Sequence, residues 1–256
     1  ITQATLRLSP LPAFRRSVRV EFRSVAAAAR AVSSLLRHPD TPAICEFMDD
    51  RAVELVRPDV SLHRDCQALL LLECHGNSET ATSTVCASWR EHTQDDQLCW
   101  HEASSDEETQ AVWAARKALS PRLRSLAPDK TNEDVVVPVS RIPKLIERVR
   151  DLSDTHGIPI VCFGHAGNGN LHVNLMYDRH NEAQAAEHDA CLEGVFAAAI
   201  ELGGSLSGEH GVGLAKRDFV GMELDTPTLA AMRAVKRALD PDNILNPDKG
   251  LPADIT

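Results

Sequence analysis

The chain has 256 residues, 43% hydrophobic and 25% charged, which is the make-up of a folded soluble globular protein and not of a disordered one. Its formal net charge of -10, with no basic stripe, excludes a protein that tracks nucleic-acid phosphates. Seven scattered cysteines without a CxxC pair exclude a disulfide framework, a zinc ribbon or an iron–sulfur cluster, and no apolar run approaches the roughly 18 residues of a membrane span.

In chain order the first segment, "ITQATLRLSP", reads as part of a strand and opens without Met, so the chain is expected to be a piece of a longer protein. "SVRVEF" (17 to 22) alternates as a half-buried strand. Ser24 then caps a helix whose Val25, Ala28, Ala29, Val32, Leu35 and Leu36 recur at helical spacing. "AICEFMD" (43 to 49) and "ALLLLEC" (68 to 74) are further strands, with a short helix near 49 to 57 between them and a longer one near 77 to 93. After "LCWHEA" (98 to 103), the acidic run from Ser104 to Glu108 starts a helix through Trp113 to about Ser120, and 121 to 132 reads as a loop.

"DVVVPV" (134 to 139) is a strand; Ser140 is expected to cap a helix bearing Ile142, Leu145, Ile146, Val149 and Leu152, which Gly157 ends. Two strands, "PIVCFG" and "LHVNLMYD", flank a glycine loop, and an alanine-rich helix follows from about 180 to 202. Helices between strands, with at least one adjacent strand pair, predict α+β layers built from split βαβ units. No short-period repeat stands out. The cysteines read as small buried hydrophobes in a reducing compartment, and the expected location is the cytoplasm, with a peripheral membrane position as the alternative.

Chemistry concentrates after residue 160. "GHAGNGNLHVN" (164 to 174) and "GGSLSGEHGVG" (203 to 213) combine permissive backbone with imidazole and carboxylate groups. Strand alternation puts His172, Asn174 and Met176 on one face, a polar row directed away from the core. Imidazole and carboxylate together suit zinc or a similar divalent cation, and three protein ligands with an open position are the catalytic pattern. The spacing alone leaves a solvated histidine open beside the metal ligand, and a plain surface edge open for Trp113, Arg116 and Ser120. "GNGN" lacks the phosphate-loop pattern, and "GEHGVG" does not follow a strand as a dinucleotide fingerprint should.

Four ordered stretches, "EDVVVPVSRIPKL", "FGHAGNGNLHVN", "GGSLSGEHGVG" and "LDPDNILNPDKG", together with the opening "ITQATLRLSPLP", resemble the C-terminal half of the FAD-linked oxidases and dehydrogenases of 2-hydroxy acids. That group is the glycolate oxidase, D-lactate dehydrogenase and D-2-hydroxyglutarate dehydrogenase branch of the vanillyl-alcohol-oxidase superfamily. The resemblance implies a substrate-binding cap of ferredoxin-like antiparallel α+β type over 1–202, and a C-terminal segment over 203–256 that packs towards the flavin. The FAD-binding domain would lie outside these residues, so the fragment alone is expected to be inactive.

Position by position, it implies His165, His172 and Glu209 as ligands of a divalent metal, zinc by preference, and His210 as the catalytic base. Arg116, Ser120 and Asn174 would contact a small 2-hydroxy acid, and Asn246 would lie near the flavin ring. Asn168 stands where the pattern has Asp, and Asn132 where a second carboxylate would want Lys. A protein or quinone electron acceptor would follow, and apolar surface freed of flavin contacts would favour self-association. A metal-dependent hydrolase, or a noncatalytic module that binds metal or hydroxy acids, is the competing class. "LNPDKG" argues against the hydrolase, which has no use for a tail that closes over a flavin.

Overall fold

The computed structural model describes residues 2–252. Seven strands form one sheet in the order β4-β1-β3-β2-β6-β7-β5, with every neighbouring pair antiparallel. The strands are β1 (Phe14–Phe22), β2 (Ile44–Met48), β3 (Ala68–Gly76), β4 (Gln97–Glu102), β5 (Asp129–Val136), β6 (Ile160–Gly164) and β7 (Asn170–Tyr177). The helices are α1 (Val25–Leu35), α2 (Asp50–Val56), α3 (Glu79–His92), α4 (Asp106–Leu123), α5 (Ile142–His156), α6 (Glu182–Glu201), α7 (Val220–Glu223) and α8 (Thr226–Leu239).

The expected α+β architecture is present, and it is present twice. Strands β1 to β4 with α1 and α3 trace the βαββαβ path of a ferredoxin-like unit, with β3 inserted between the parallel β1 and β2. Strands β5 to β7 with α5 and α6 repeat that path. A single bridge from Ser205 to Val136 marks where the second unit's fourth strand would lie. The two half-sheets meet only at β2 and β6, through Phe47 opposite Gly164 and Met48 opposite Phe163.

Apolar periodicity explains why both faces are covered. On the first face α1, α3, α5 and α6 pack against Val18, Val20, Leu70, Leu72, Leu171 and Val173. On the second, α2 and α4 pack against Met48, Leu69, Val161 and Met176. β3 is sandwiched between the two, which is why "ALLLL" is continuous rather than alternating. The helix starts follow the cap rule, with Ser24, Asp49, Ser78, Ser105 and Asn181 each accepting a backbone N–H from the first turn.

Four sequence expectations are corrected. Residues 2–12 form no strand, because β1 finds its partners only from Phe14 onward. The loop expected over 121 to 132 is shorter. α4 runs through Pro121 to Leu123 because Leu119 and Leu123 bury beneath it, and β5 starts at Asp129 because polar Asp129–Asn132 pair with β7. Ser140 caps nothing; it lies in a 3-10 turn that leads into α5 through Arg141. The row of His172, Asn174 and Met176 does not point away from the interior: all three are buried, and Met176 joins the core under α2 and α4.

The glycine loop between β6 and β7 is held closely to β5. Gly169 has φ +79°, and a Cβ there would lie 2.1 Å from the Val137 carbonyl oxygen. Gly169→Ala is therefore expected to destabilise the chain by about 2 kcal/mol or more, read as a lower urea midpoint at unchanged slope.

Candidate functional site

The site lies on the second face, at the junction of the two half-sheets, where α2 and α4 leave part of the sheet uncovered. β2 contributes Glu46, β7 contributes His172, the 3-10 turn after β6 is entered by His165, and the loop after α6 brings Glu209 and His210. His165 Nε2 and His172 Nε2 each lie 3.5 Å from Glu209 Oε1. Two ligands about 2.1 Å from a tetrahedral cation would stand ~3.4 Å apart, so the spacing fits a divalent ion of zinc type. The three donor atoms all lie within 4.8 Å of one another.

Burial, reinforced by neighbouring His165, pushes the His172 pKa below the ordinary imidazole range, in the direction that favours the neutral form a ligand needs. Its Nδ1 is buried without a hydrogen-bond partner among the described residues. His210 stacks on it at 5.3 Å between ring centroids. The His165 ring meets His172 edge-on at the same separation.

Behind this cluster stands Asp134, wholly buried in β5. It accepts the backbone N–H groups of Glu209 and His210, the latter at 3.0 Å, and the Lys216 ammonium at 2.5 Å. His210 Nδ1 lies 3.4 Å from the same carboxylate. Lys216 is itself buried and also reaches Glu133 at 3.4 Å. Burial alone would raise the Asp134 pKa, but the Lys216 bond and the two loop N–H donors outweigh it and hold the carboxyl below its ordinary range. Burial wins at Glu133, whose pKa is raised despite Lys216.

The lowered Asp134 pKa ties stability to pH. Its contribution to stability is complete above the ordinary carboxylate range and is lost as pH falls through the lower folded value. Urea denaturation followed from neutral to acid pH should show stability falling below about pH 4, and Asp134→Asn should flatten that acid limb.

Beside the cluster opens a cleft of about 730 Å³, walled by Leu36, Pro42, Ile44, Trp113, Arg116 and His165 among others. Arg116 lies over the Phe163 ring at 4.7 Å and donates its Nε–H to Glu46 at 3.0 Å. Neither of its Nη groups has a hydrogen-bond partner among the described residues.

Residues 11–250 match the family model described as FAD linked oxidases, C-terminal domain. The chain belongs to the FAD-linked oxidases, as their C-terminal domain. The glycolate oxidase subunit GlcD of Bacillus subtilis (strain 168) is 33% identical over 97% of the chain and 53% of its own length. A mitochondrial D-lactate dehydrogenase [cytochrome] of Kluyveromyces lactis is 30% identical over 97% of the chain and 44% of its own length. The chain thus spans about half the length of the curated relatives it matches. The crystal structure of p-cresol methylhydroxylase with substrate bound shares the fold, with a TM-score of 0.71 at 14% identity over 95% of the chain and 54% of that chain.

Within this C-terminal domain the structure brings His165, His172, Glu209, His210 and Arg116 to one place, although 94 positions separate Arg116 from His210 in sequence. Ser120, one turn beyond Arg116 on α4, is exposed and does not line the cleft. Asn174 is wholly buried, its amide donating to the Val161 and His172 carbonyls. Asn246 is exposed in the segment after α8, with a positive φ, and is not among the residues that line the cleft. Asn168, the departure from the pattern, accepts the Asn170 N–H and so shapes the loop. All seven cysteines are free, and six are buried. Among the described residues no helix is long and apolar enough to cross a membrane.

Sequence reasoning missed Glu46, Asp134 and Lys216. The available signal was charge in the wrong place: a glutamate inside the otherwise apolar "AICEFM", and an acidic pair that opens "EDVVVP".

Proposed function

We propose that this domain is the substrate- and metal-binding part of an FAD-dependent 2-hydroxy-acid dehydrogenase or oxidase of the glycolate, D-lactate or D-2-hydroxyglutarate type. The observation that carries the reading is the convergence of His165, His172 and Glu209 beside an arginine with both Nη groups uncommitted. His165 Nε2, His172 Nε2 and a Glu209 carboxylate oxygen would hold a divalent cation, zinc by preference. Such a cation, when bound, stabilises negative charge that develops on a substrate hydroxyl. FAD, held mainly by residues outside this domain, supplies the acceptor for the hydride from the α-carbon.

The residues of this chain set up that transfer. Arg116 binds the substrate carboxylate through Nη1 and Nη2 in a bidentate pair, which fixes the face from which the α-hydrogen leaves. His210 takes the hydroxyl proton at Nε2, while Asp134 beside Nδ1 stabilises the imidazolium so formed. Trp113 and the apolar wall of the cleft exclude water from one side. A protein or quinone acceptor, in the cytoplasm or at a membrane face, would take up the electrons released by the oxidation.

The test uses the intact flavoprotein under anaerobic conditions. At least one of glycolate, D-lactate and D-2-hydroxyglutarate is expected to bleach the flavin absorbance, and Arg116→Ala is expected to raise KM for that substrate roughly 10–100-fold, the loss of a charged double hydrogen bond. An unbleached flavin with all three acids would overturn the reading.

A further inference from the structure

Glu46 has a place in the site that no motif announces. It is 5% exposed, on β2 of the first half-sheet, and its two oxygens are divided between two functional groups of different origin. Oε2 accepts the Nε–H of Arg116 at 3.0 Å. Oε1 accepts from Nδ1 of His165 in a short contact. No other described carboxylate touches both the arginine and a histidine of the cluster.

We infer that Glu46 is a positioning residue that sets the tautomer of His165 and the presentation of Arg116 at the same time. A carboxylate only accepts, so the His165 proton must sit on Nδ1, and the Nε2 lone pair then points at Glu209 and His172. By taking Nε–H, the same carboxylate turns the Nη pair of Arg116 outward into the cleft. Burial of Glu46 stiffens the arrangement, because its carboxylate is shielded from solvent. Without Glu46 the ring is free to carry its proton on Nε2, and that nitrogen then has no lone pair for a cation.

The tautomer part of this inference stands on geometry alone, whereas its consequence for cation binding rests on the metal reading proposed above. Long-range proton–nitrogen NMR on histidine-labelled chain, with His165 assigned from a His165→Gln variant, separates the two. At pH 8, above the ordinary imidazole range, wild-type His165 is expected to carry its proton on Nδ1. In Glu46→Gln the charged arginine claims the amide oxygen, the amide N–H₂ faces Nδ1, and the His165 proton should move to Nε2. Zinc affinity, measured by competition with a chromophoric chelator, should then fall about 10–100-fold, the usual effect of losing a ligand's outer partner.

A wild-type His165 protonated on Nε2 would overturn the inference. So would a folded Glu46→Gln that keeps its Nδ1 proton and binds zinc within about twofold of wild type. If Glu46→Gln does not fold, the wild-type tautomer decides alone. If that tautomer is as expected and the chain takes up no zinc, the tether stands and the metal reading falls.

Discussion

Lys216→Ala is expected to lower stability by about 3–5 kcal/mol. For a chain of this size that is a drop of roughly 6–20 °C in Tm. The reason is not the strength of the ion pair as such. Lys216 is almost fully buried, and its removal leaves Asp134 and Glu133 as two buried carboxylates facing an empty space. The lost ammonium also served the Asp134 carbonyl at 2.9 Å. Replacing the pair together, as Lys216→Met with Asp134→Asn, should recover part of the loss, since neither variant residue demands a buried counter-charge. A double variant no more stable than Lys216→Ala would show that something other than unpaired charge dominates.

The second large effect concerns cation binding. Elemental analysis of the purified chain, loaded and then freed of excess metal, is expected to find about one divalent ion per chain, and none in His165→Ala/His172→Ala. Glu209→Gln should weaken zinc binding by more than about 100-fold, beyond the range for losing an outer partner. The three ligands come from the turn after β6, from β7 and from the loop after α6, and Asp134 holds the backbone of that last loop at Glu209 and His210. Asp134→Asn should therefore weaken zinc as well, though less than loss of a ligand does. Equal stoichiometry in wild type and the double variant would remove the metal from the proposed chemistry and leave these histidines as substrate or proton-transfer groups.

The fold was legible where one physical signal sufficed. Alternation in "SVRVEF" and helical spacing after Ser24 each describe a local event, and β1 and α1 appear where those signals put them. The signals failed where a distant partner decided the outcome. Polar Asp129 to Asn132 became strand because β7 pairs with them, and Pro121 stayed helical because Leu123 packs beneath α4. The site divides in the same way. Glycine-rich loops with imidazoles can be read from spacing, so His165, His172, Glu209 and His210 stood out. Glu46 and Lys216 act on partners 119 and 82 residues away, and no local pattern carries that information. The second ferredoxin-like path was hidden too, since its fourth strand is reduced to one bridge at Ser205.

The narrow seam between the half-sheets bears on how the chain finds its alignment. Side chains alternate with a period of two, so sliding one half-sheet past the other by one residue would turn apolar side chains out of both cores, and burial forbids it. A slide of two residues keeps every side chain on its proper face and moves the edge by only about 7 Å. Hydrophobic packing is nearly blind to that error, and two residue pairs at the seam do little to oppose it. Glu46 is not blind to it. Displaced by two residues it would be a buried carboxylate without His165, so the group that orients the site also tells the two halves of the sheet where to stop.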